Sequence, residues 1–373
     1  MYIELHFIQN FAPANLNRDD ANNPKDCEFG GVRRARISSQ CIKRAIRMAP
    51  VFAETTRVEI GQRTKRVVER LRKHMGAAKP EDEVNAVLFA FVPGFLGKLD
   101  KDGQRTAVLL YLSADEIENI NNRLLKNWAE LTDEKKRRDA VERLAKELVR
   151  EFKNRTGAPD IALFGRMLAE NPELNLDAAC QVAHAISTHR VTMEMDFYTA
   201  VDDLNPDDTA GAGMMGFTGY NSACFYRYAR LDWEQLVKNL EGDKELAHRA
   251  VEGFLRATVE AVPTGKQNSF AAQNPPSFLM AAVRDGGAAW SLANAFEKPV
   301  RAEREGGLVA PSVEAMDAYW GRLCTIYGTQ SIKATAAVTL DGDLELTALK
   351  EAKVDNLDAW IEATLKPIRE ATA

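Results

Sequence analysis

The sequence contains no cysteine framework. Its five cysteines, Cys27, Cys41, Cys180, Cys224 and Cys324, are odd in number and scattered, with no CxxC pair, so neither a zinc ribbon nor a disulfide scaffold is indicated. Long apolar runs are missing as well. Stretches such as Ala86 to Leu96 are too short to span a bilayer, and Met1 to Asn10 alternates where a signal peptide would place an apolar core behind basic residues. His184 and His189 are five positions apart with no Glu after the first, which does not fit the zinc-protease pattern. P-loops, serine nucleophile elbows and kinase signatures are absent. So is any surplus of positive charge: 49 Lys and Arg stand against 54 Asp and Glu, for a net charge of -5. That balance argues against a protein coating nucleic acid with its whole surface. A reduced, cytoplasmic protein without membrane, metal or cofactor is expected. At 373 residues it is long for one core, and two lobes or one elaborated domain are expected.

Against that acidic background, the run from Asn15 to Arg47 stands out. A loop rich in Asn, Asp and Gly leads into an arginine cluster and then a serine pair. From Lys25 onward, Lys25, Arg33, Arg34, Arg36, Lys43, Arg44 and Arg47 are opposed only by Asp26 and Glu28. Such density suggests a site for a polyanion, and attraction to phosphate is the usual source of affinity for nucleic acid. Ser38 or Ser39 is suited to cap the following helix. At about 100° per residue, Ile42, Ala45, Ile46 and Ala49 share one face, and Gln40, Lys43, Arg47 and, further round, Arg44 share the other. Pro50 is expected to end this helix. The exposed helix N-terminus adds backbone N–H groups that favour anions.

The remaining patterns give an outline of the fold. Tyr2 to Gln9 alternates and reads as a half-buried strand, with Glu4 and His6 on the polar side. Asn10 to Gly31 reads as a long loop. From about Arg57 to Asn154 charges become dense and helical spacing dominates, as in a helical insertion; its last helix is expected to contain Asp133 to Arg138. Strand candidates follow at Asp160 to Met167 and about Ala178 to Thr188. Asp202 to Gly219 reads as a protruding hairpin, with Met214, Met215, Phe217 and Tyr220 displayed at a tip. Its Gly211-Ala-Gly-Met-Met-Gly216 matches GxGxxG literally, but it lacks the strand before and the helix after that a dinucleotide site needs. Ala223 to Leu231 and Ser277 to Val283 read as strands, and Lys244 to Val262 as an amphipathic helix stopped by Pro263. Without the insertion and the hairpin, the order approximates a ferredoxin-like, RNA-recognition arrangement in the α+β class. Asp19, Asp20 and Asp26 have two readings: loop-capping carboxylates, or a metal-holding pair of a metal-dependent ribonuclease using Asp19 and Asp20.

A series of short blocks resembles the CasC family, the backbone subunit of the type I-E CRISPR Cascade surveillance complex. The blocks are Leu16-Asn-Arg-Asp-Asp20, Phe29-Gly-Gly31, Arg33-Arg-Ala-Arg-Ile-Ser-Ser-Gln40, Lys43-Arg44-Ala45, Asp160-Ile-Ala-Leu, Gly165-Arg-Met167, Ala183-His-Ala-Ile186, Thr188-His189, Phe197-Tyr-Thr-Ala-Val-Asp-Asp-Leu204, Phe225-Tyr-Arg-Tyr-Ala229, Val262-Pro263, Gly265-Lys-Gln267 and Ala293-Asn-Ala-Phe-Glu-Lys298. The resemblance implies a hand-shaped subunit. A modified RRM palm would span 1–56, 158–190 and 223–373, helical fingers 57–157 and a hairpin thumb 191–222. It implies a non-catalytic protein that polymerises head to tail along the crRNA spacer and presents it to target DNA. Its implied partners are the large subunit, the small subunits, the 5'-end cap subunit, the crRNA-processing endonuclease and a recruited helicase-nuclease. Carried over by position, Arg18, Lys25, Ser38, Gln40, Lys43, Arg44 and Arg47 would hold guide phosphates, with Lys266 and Gln267 adding contacts. Arg166 and Met167 would lie near a displaced nucleotide, and Phe197, Met214 and Met215 would form the thumb's wedge. Lys135, Lys136, Arg137 and Arg138 would guide target duplex.

Overall fold

The structure is a computed structural model that describes residues 1–75, 79–168, 170–200 and 214–372. The chain is α+β, its main sheet antiparallel in the pairings given below, and it divides into two compact units. The first comprises Met1–Phe52, Val182–Arg230 and Phe254–Ala373; the second comprises Ala53–Gln181 and Leu231–Gly253. Among the described residues, no helix is long and apolar enough to cross a membrane.

The chain opens with strands β1 (Tyr2–Ala14), β2 (Asp26–Phe29) and β3 (Val32–Ile37), then helices α1 (Ser39–Met48) and α2 (Pro50–Thr56). In the first unit the sheet runs in the order Ile332–Thr339, Phe278–Arg284, β1, Met214–Asp232, Ala185–Ser187, β3, β2. β1 is antiparallel to Phe278–Arg284, with Leu5 opposite Ala281, and β3 is antiparallel to Ala185–Ser187. The stretch expected to be loop from Asn10 to Gly31 is shorter than read. β1 continues to Ala14, and β2 and β3 form a hairpin closed by Gly30 and Gly31. Both glycines have positive φ, 61° and 72°, as a two-residue hairpin turn demands.

β1 is not half-buried. His6 lies 6.4 Å from Trp320 on the helix Val309–Tyr327, while Phe7 lies 5.9 Å from Trp360 on the helix Leu357–Thr372. Helices therefore cover both faces, and Glu4 and His6, read as facing solvent, are buried. Burial of a charge requires a partner. The Glu4 carboxylate pairs with Arg284 at 2.8 Å and accepts from the Tyr228 hydroxyl at 3.0 Å. The Arg284 guanidinium in turn stacks 3.7 Å from the centre of the Trp290 ring. His6 Nδ1 meets the Tyr226 hydroxyl at 2.9 Å. The covering helices and the strand Ile332–Thr339 lie beyond Val283, in a part of the chain for which the sequence patterns outline no element.

The second unit encloses its own core. Val68, Leu71, Leu88, Phe91, Ile117, Leu124, Leu144 and Leu148 come from helices Val67–Met75, Glu81–Phe95, Ala114–Lys126 and Arg137–Phe152. Ser113 and Glu116 form a reciprocal capping box on the third of these. The segment Asp160 to Met167, expected as a strand, contains the helix Pro159–Phe164. Pro159 sits in its first turn, where a missing N–H costs nothing. The buried Asp160 carboxylate accepts from the Gly61 N–H at 2.8 Å and the Tyr111 hydroxyl at 2.5 Å. The helix expected to contain Asp133 to Arg138 starts only at Arg137. Asp133 instead closes a turn by accepting the Lys135 N–H at 2.9 Å.

Two measurements test this architecture. A Cβ on Gly30 would overlap the Glu297 carbonyl, whereas one on Gly31 meets nothing within 4 Å. Gly31→Ala is therefore expected to cost about 1 kcal/mol of backbone strain in urea denaturation, and Gly30→Ala more than about 2 kcal/mol. Burial, and secondarily the Arg284 cation, pushes the His6 imidazole down to about 3 from 6.5. Protonation thus favours the unfolded chain. Stability present above pH 6.5 is lost as the pH falls from there toward about 3. The urea midpoint of the wild type is expected to drop relative to that of His6→Gln as the pH is lowered through this window.

Candidate nucleic-acid interface

Several of the residues expected to meet a polyanion are gathered around α1. Ser38 is its N-cap: the backbone is extended there, and Ser38 Oγ accepts the Cys41 N–H at 3.3 Å. The Ser38 N–H is held by Asn17 Oδ1 at 2.8 Å, and the Ser39 N–H by His184 Nδ1 at 3.1 Å. The first turn of α1 carries no acidic residue, so the partial positive charge of the helix end is not offset from within the helix. Pro50 does not simply end α1. It opens α2, and Ala49 is the C-cap of α1.

The loop before β2 is ordered by asparagine side chains. The buried Asn15 amide donates to the carbonyls of Asn22 and Gly219, at 2.9 and 2.8 Å. Asp19 Oδ1 accepts two backbone N–H groups, Ala21 and Asn23, each at 2.9 Å, which is the loop-capping arrangement. Gly265 lies against this loop so closely that a Cβ would stand 2.8 Å from the Asn15 carbonyl oxygen. The loop, α1 and the segment from Glu260 to Gly265 border a cleft of about 620 Å³, with Leu16, Met48 and Pro263 on its apolar wall and Arg18 and Arg44 on its rim.

The basic residues divide by environment. Arg18, Gln40 and Arg44 are exposed, and Lys25 and Lys43 are half-buried. Arg44 has no ion-pair partner among the described residues. Arg47 departs from expectation: it is buried beside Ile42 and Ile46, so it does not share an exposed face with Gln40 and Lys43. Arg34 is fully buried and donates to the carbonyls of Phe29, Ser187 and Phe296, clamping the β2–β3 hairpin. Lys266 adopts left-handed backbone at φ 51°. The Gln267 amide is taken up by the Pro263 and Ala272 carbonyls at 2.9 and 3.2 Å, which makes it a turn-former. His189 is structural, since its Nε2 accepts the Cys224 N–H at 3.2 Å.

The expected hairpin is built from the strands Glu194–Ala200 and Met214–Asp232. Residues 201–213, and with them the first half of the Gly211–Gly216 motif, lie outside the described residues. Met214 and Met215 are strand residues opposite Ala200 and Thr199. Directly opposed residues share a face, so Met195, Phe197, Met215 and Phe217 lie on one side. The Phe197 and Phe217 rings are 5.1 Å apart, and all four side chains are exposed.

In the second unit, Arg166 is not a surface group. Its side chain is 1% exposed and pairs with Glu116 at 2.6 Å, while its Nε donates to the Leu174 carbonyl. Its neighbour Met167 is 81% exposed; Arg166 anchors the segment that displays it. Arg137 is likewise committed, donating to the Leu131 and Thr132 carbonyls, and Lys136 pairs with Asp133 at 3.6 Å. Lys135 and Arg138 are exposed.

Removing one partner of a buried ion pair strands the other charge. Arg166→Met is therefore expected to lose about 3–5 kcal/mol in urea denaturation. A variant as stable as the wild type would return Arg166 to the set of candidate surface contacts.

The chain has relatives among known proteins. The chain is similar over 98% of its length, at 31% identity and a TM-score of 0.81, to the whole of a chain in a solved structure described as "CRISPR RNA-guided surveillance complex, pre-nicking". A chain of a second structure, "CRISPR RNA-guided surveillance complex", is matched over 99% of this chain and all of its own length, at 26% identity and a TM-score of 0.64. No curated protein sequence matches. The model of the CT1975-like protein family matches residues 3–363, nearly the whole chain, in line with the CasC resemblance of the sequence blocks. The chain belongs to the CT1975-like protein family.

Proposed function

We propose that this protein is a non-catalytic, guide-RNA-binding subunit that polymerises head to tail along the crRNA spacer as the backbone of a type I-E Cascade complex. The observation that carries the reading is its full-length likeness to chains of RNA-guided surveillance complexes. The track of Arg18, Lys25, Gln40, Lys43 and Arg44 beside an α1 whose first turn carries no acidic residue adds to it. Cations bind phosphates without reading bases, and the partial positive charge of the helix end favours the same anions. Sequence is then read by pairing between guide and target DNA, as in other guided systems.

In this reading the sheet of residues 1–56, 158–190 and 223–373 is a modified RRM palm, 57–157 are fingers and 191–222 a thumb. Phe197 and Met215, with Phe217, supply an apolar thumb face that meets bases or a neighbouring copy. Met167 is displayed near a displaced nucleotide, and Lys135 and Arg138 reach target duplex. Large, small and 5'-cap subunits, the crRNA-processing endonuclease and a recruited helicase-nuclease complete the assembly. The ribonuclease alternative loses support from Asp19, whose Oδ1 is occupied by two backbone amides.

Protein expressed with a guide RNA is expected to carry RNA of uniform length. Lys43→Glu with Arg44→Glu should lower RNA recovery by at least about tenfold, with circular dichroism unchanged, since each lost cation forfeits a phosphate contact and adds repulsion. Wild-type protein that assembles free of RNA, or a double variant that retains it, would overturn the reading.

A further inference from the structure

His184 carries an assignment beyond that reading. It immediately precedes the strand Ala185–Ser187, whose register against β3 sets Ala185 opposite Ile37. The Ala183 N–H is fixed on the Tyr228 carbonyl at 2.9 Å. This ladder delivers the imidazole to the first turn of α1, where Nδ1 accepts the Ser39 N–H at 3.1 Å. Arg36 Nη1 lies 3.4 Å from the same nitrogen. Arg36 is joined to Lys25 through the Arg36 N–H and the Lys25 carbonyl, at 2.9 Å.

An imidazole nitrogen that accepts from a backbone N–H carries no proton, so in the neutral ring the proton resides on Nε2. The side chain is exposed, and Nε2 has no partner among the described residues. Partial desolvation, and after it the neighbouring cations Arg36 and Lys25, hold the imidazole below its ordinary titration range. The result is a neutral N–H donor of fixed direction, set among cations at a helix N-terminus.

We infer that His184 is a further RNA-binding residue, its Nε2–H donating to a phosphate oxygen of the strand held along α1. The inference rests on the RNA-binding reading and adds a contact of a different kind. A lysine or arginine contact releases counterions and steepens the salt dependence of binding, whereas a neutral donor contributes affinity without changing that slope.

The two nitrogens can be tested separately in the full-length chain, with a labelled single-stranded RNA of guide length. His184→Asn places an acceptor near the Nδ1 position and removes the outward donor. His184→Gln places an amide near the Nε2 position and leaves the Ser39 N–H unpaired. The Asn variant is expected to keep its thermal midpoint, to bind about tenfold more weakly and to show an unchanged slope of log K against log salt. The Gln variant is expected to melt earlier yet bind within about threefold of wild type. Wild-type affinity in His184→Asn would reduce the residue to a helix cap and overturn the assignment, as would a shallower salt slope. If Lys43→Glu with Arg44→Glu also binds like wild type, the RNA reading itself falls, and this inference with it.

Discussion

Asn15 is buried at the end of β1, and its side-chain amide spans the carbonyls of Asn22 and Gly219. One of these belongs to the loop before β2, the other to the base of the exposed hairpin. Two residues on, Asn17 holds the Ser38 N–H through Oδ1 and the Lys25 N–H through its carbonyl. Two amides thus tie together the loop, the hairpin base and the start of α1. A carbonyl buried without a donor costs about 1–3 kcal/mol, so this loop could not be held against the sheet by apolar contact alone. The close approach of Gly265 has the same origin: the carbonyls of Asn15 and Leu16 leave no room for a Cβ there.

That framework decides which cations remain available. Arg34 and Arg47 are buried, Arg33 pairs with Asp26 at 2.7 Å, and Arg36 Nε donates to the Asp26 carbonyl at 3.2 Å. The basic cluster therefore does two kinds of work. Part of it satisfies carbonyls and carboxylates that would otherwise be stranded, and the rest faces outward. In the second unit Arg166 and Arg137 belong to the first kind. A protein with net charge -5 needs few outward cations to meet a polyanion if their positions are fixed.

The α+β class, the serine-capped α1, the amphipathic helix Lys244–Glu260 and the exposed hairpin were legible, because each rests on local spacing or capping chemistry. Other features depended on long-range partners that one sequence does not display. Glu4 and His6 alternate as solvent-facing residues would, and only Arg284, Tyr226, Tyr228 and two distant helices make their burial tolerable. Arg47 and Arg166 look identical to surface arginines in a one-letter string. The hairpin at Gly30-Gly31 and the helix opened by Pro159 did carry local signals, a two-glycine turn and a proline in a first turn, but neighbouring polar and apolar runs masked them. His184 reads as an ordinary histidine until β3 and Ala185–Ser187 are paired.

The hairpin strand Glu194–Ala200 is paired on one side only among the described residues. An open strand of this kind, with apolar side chains on one face, is a template for pairing with another copy of itself. Glu194 and Asp196 interrupt that template at two alternate positions in its first half, on the face opposite Met195 and Phe197. Two such strands brought together antiparallel would set carboxylate near carboxylate, which disfavours the ladder. The alternation that gathers the apolar side chains on one face therefore also places carboxylates on the other, which disfavours edge-to-edge pairing of the open strand with its own copy.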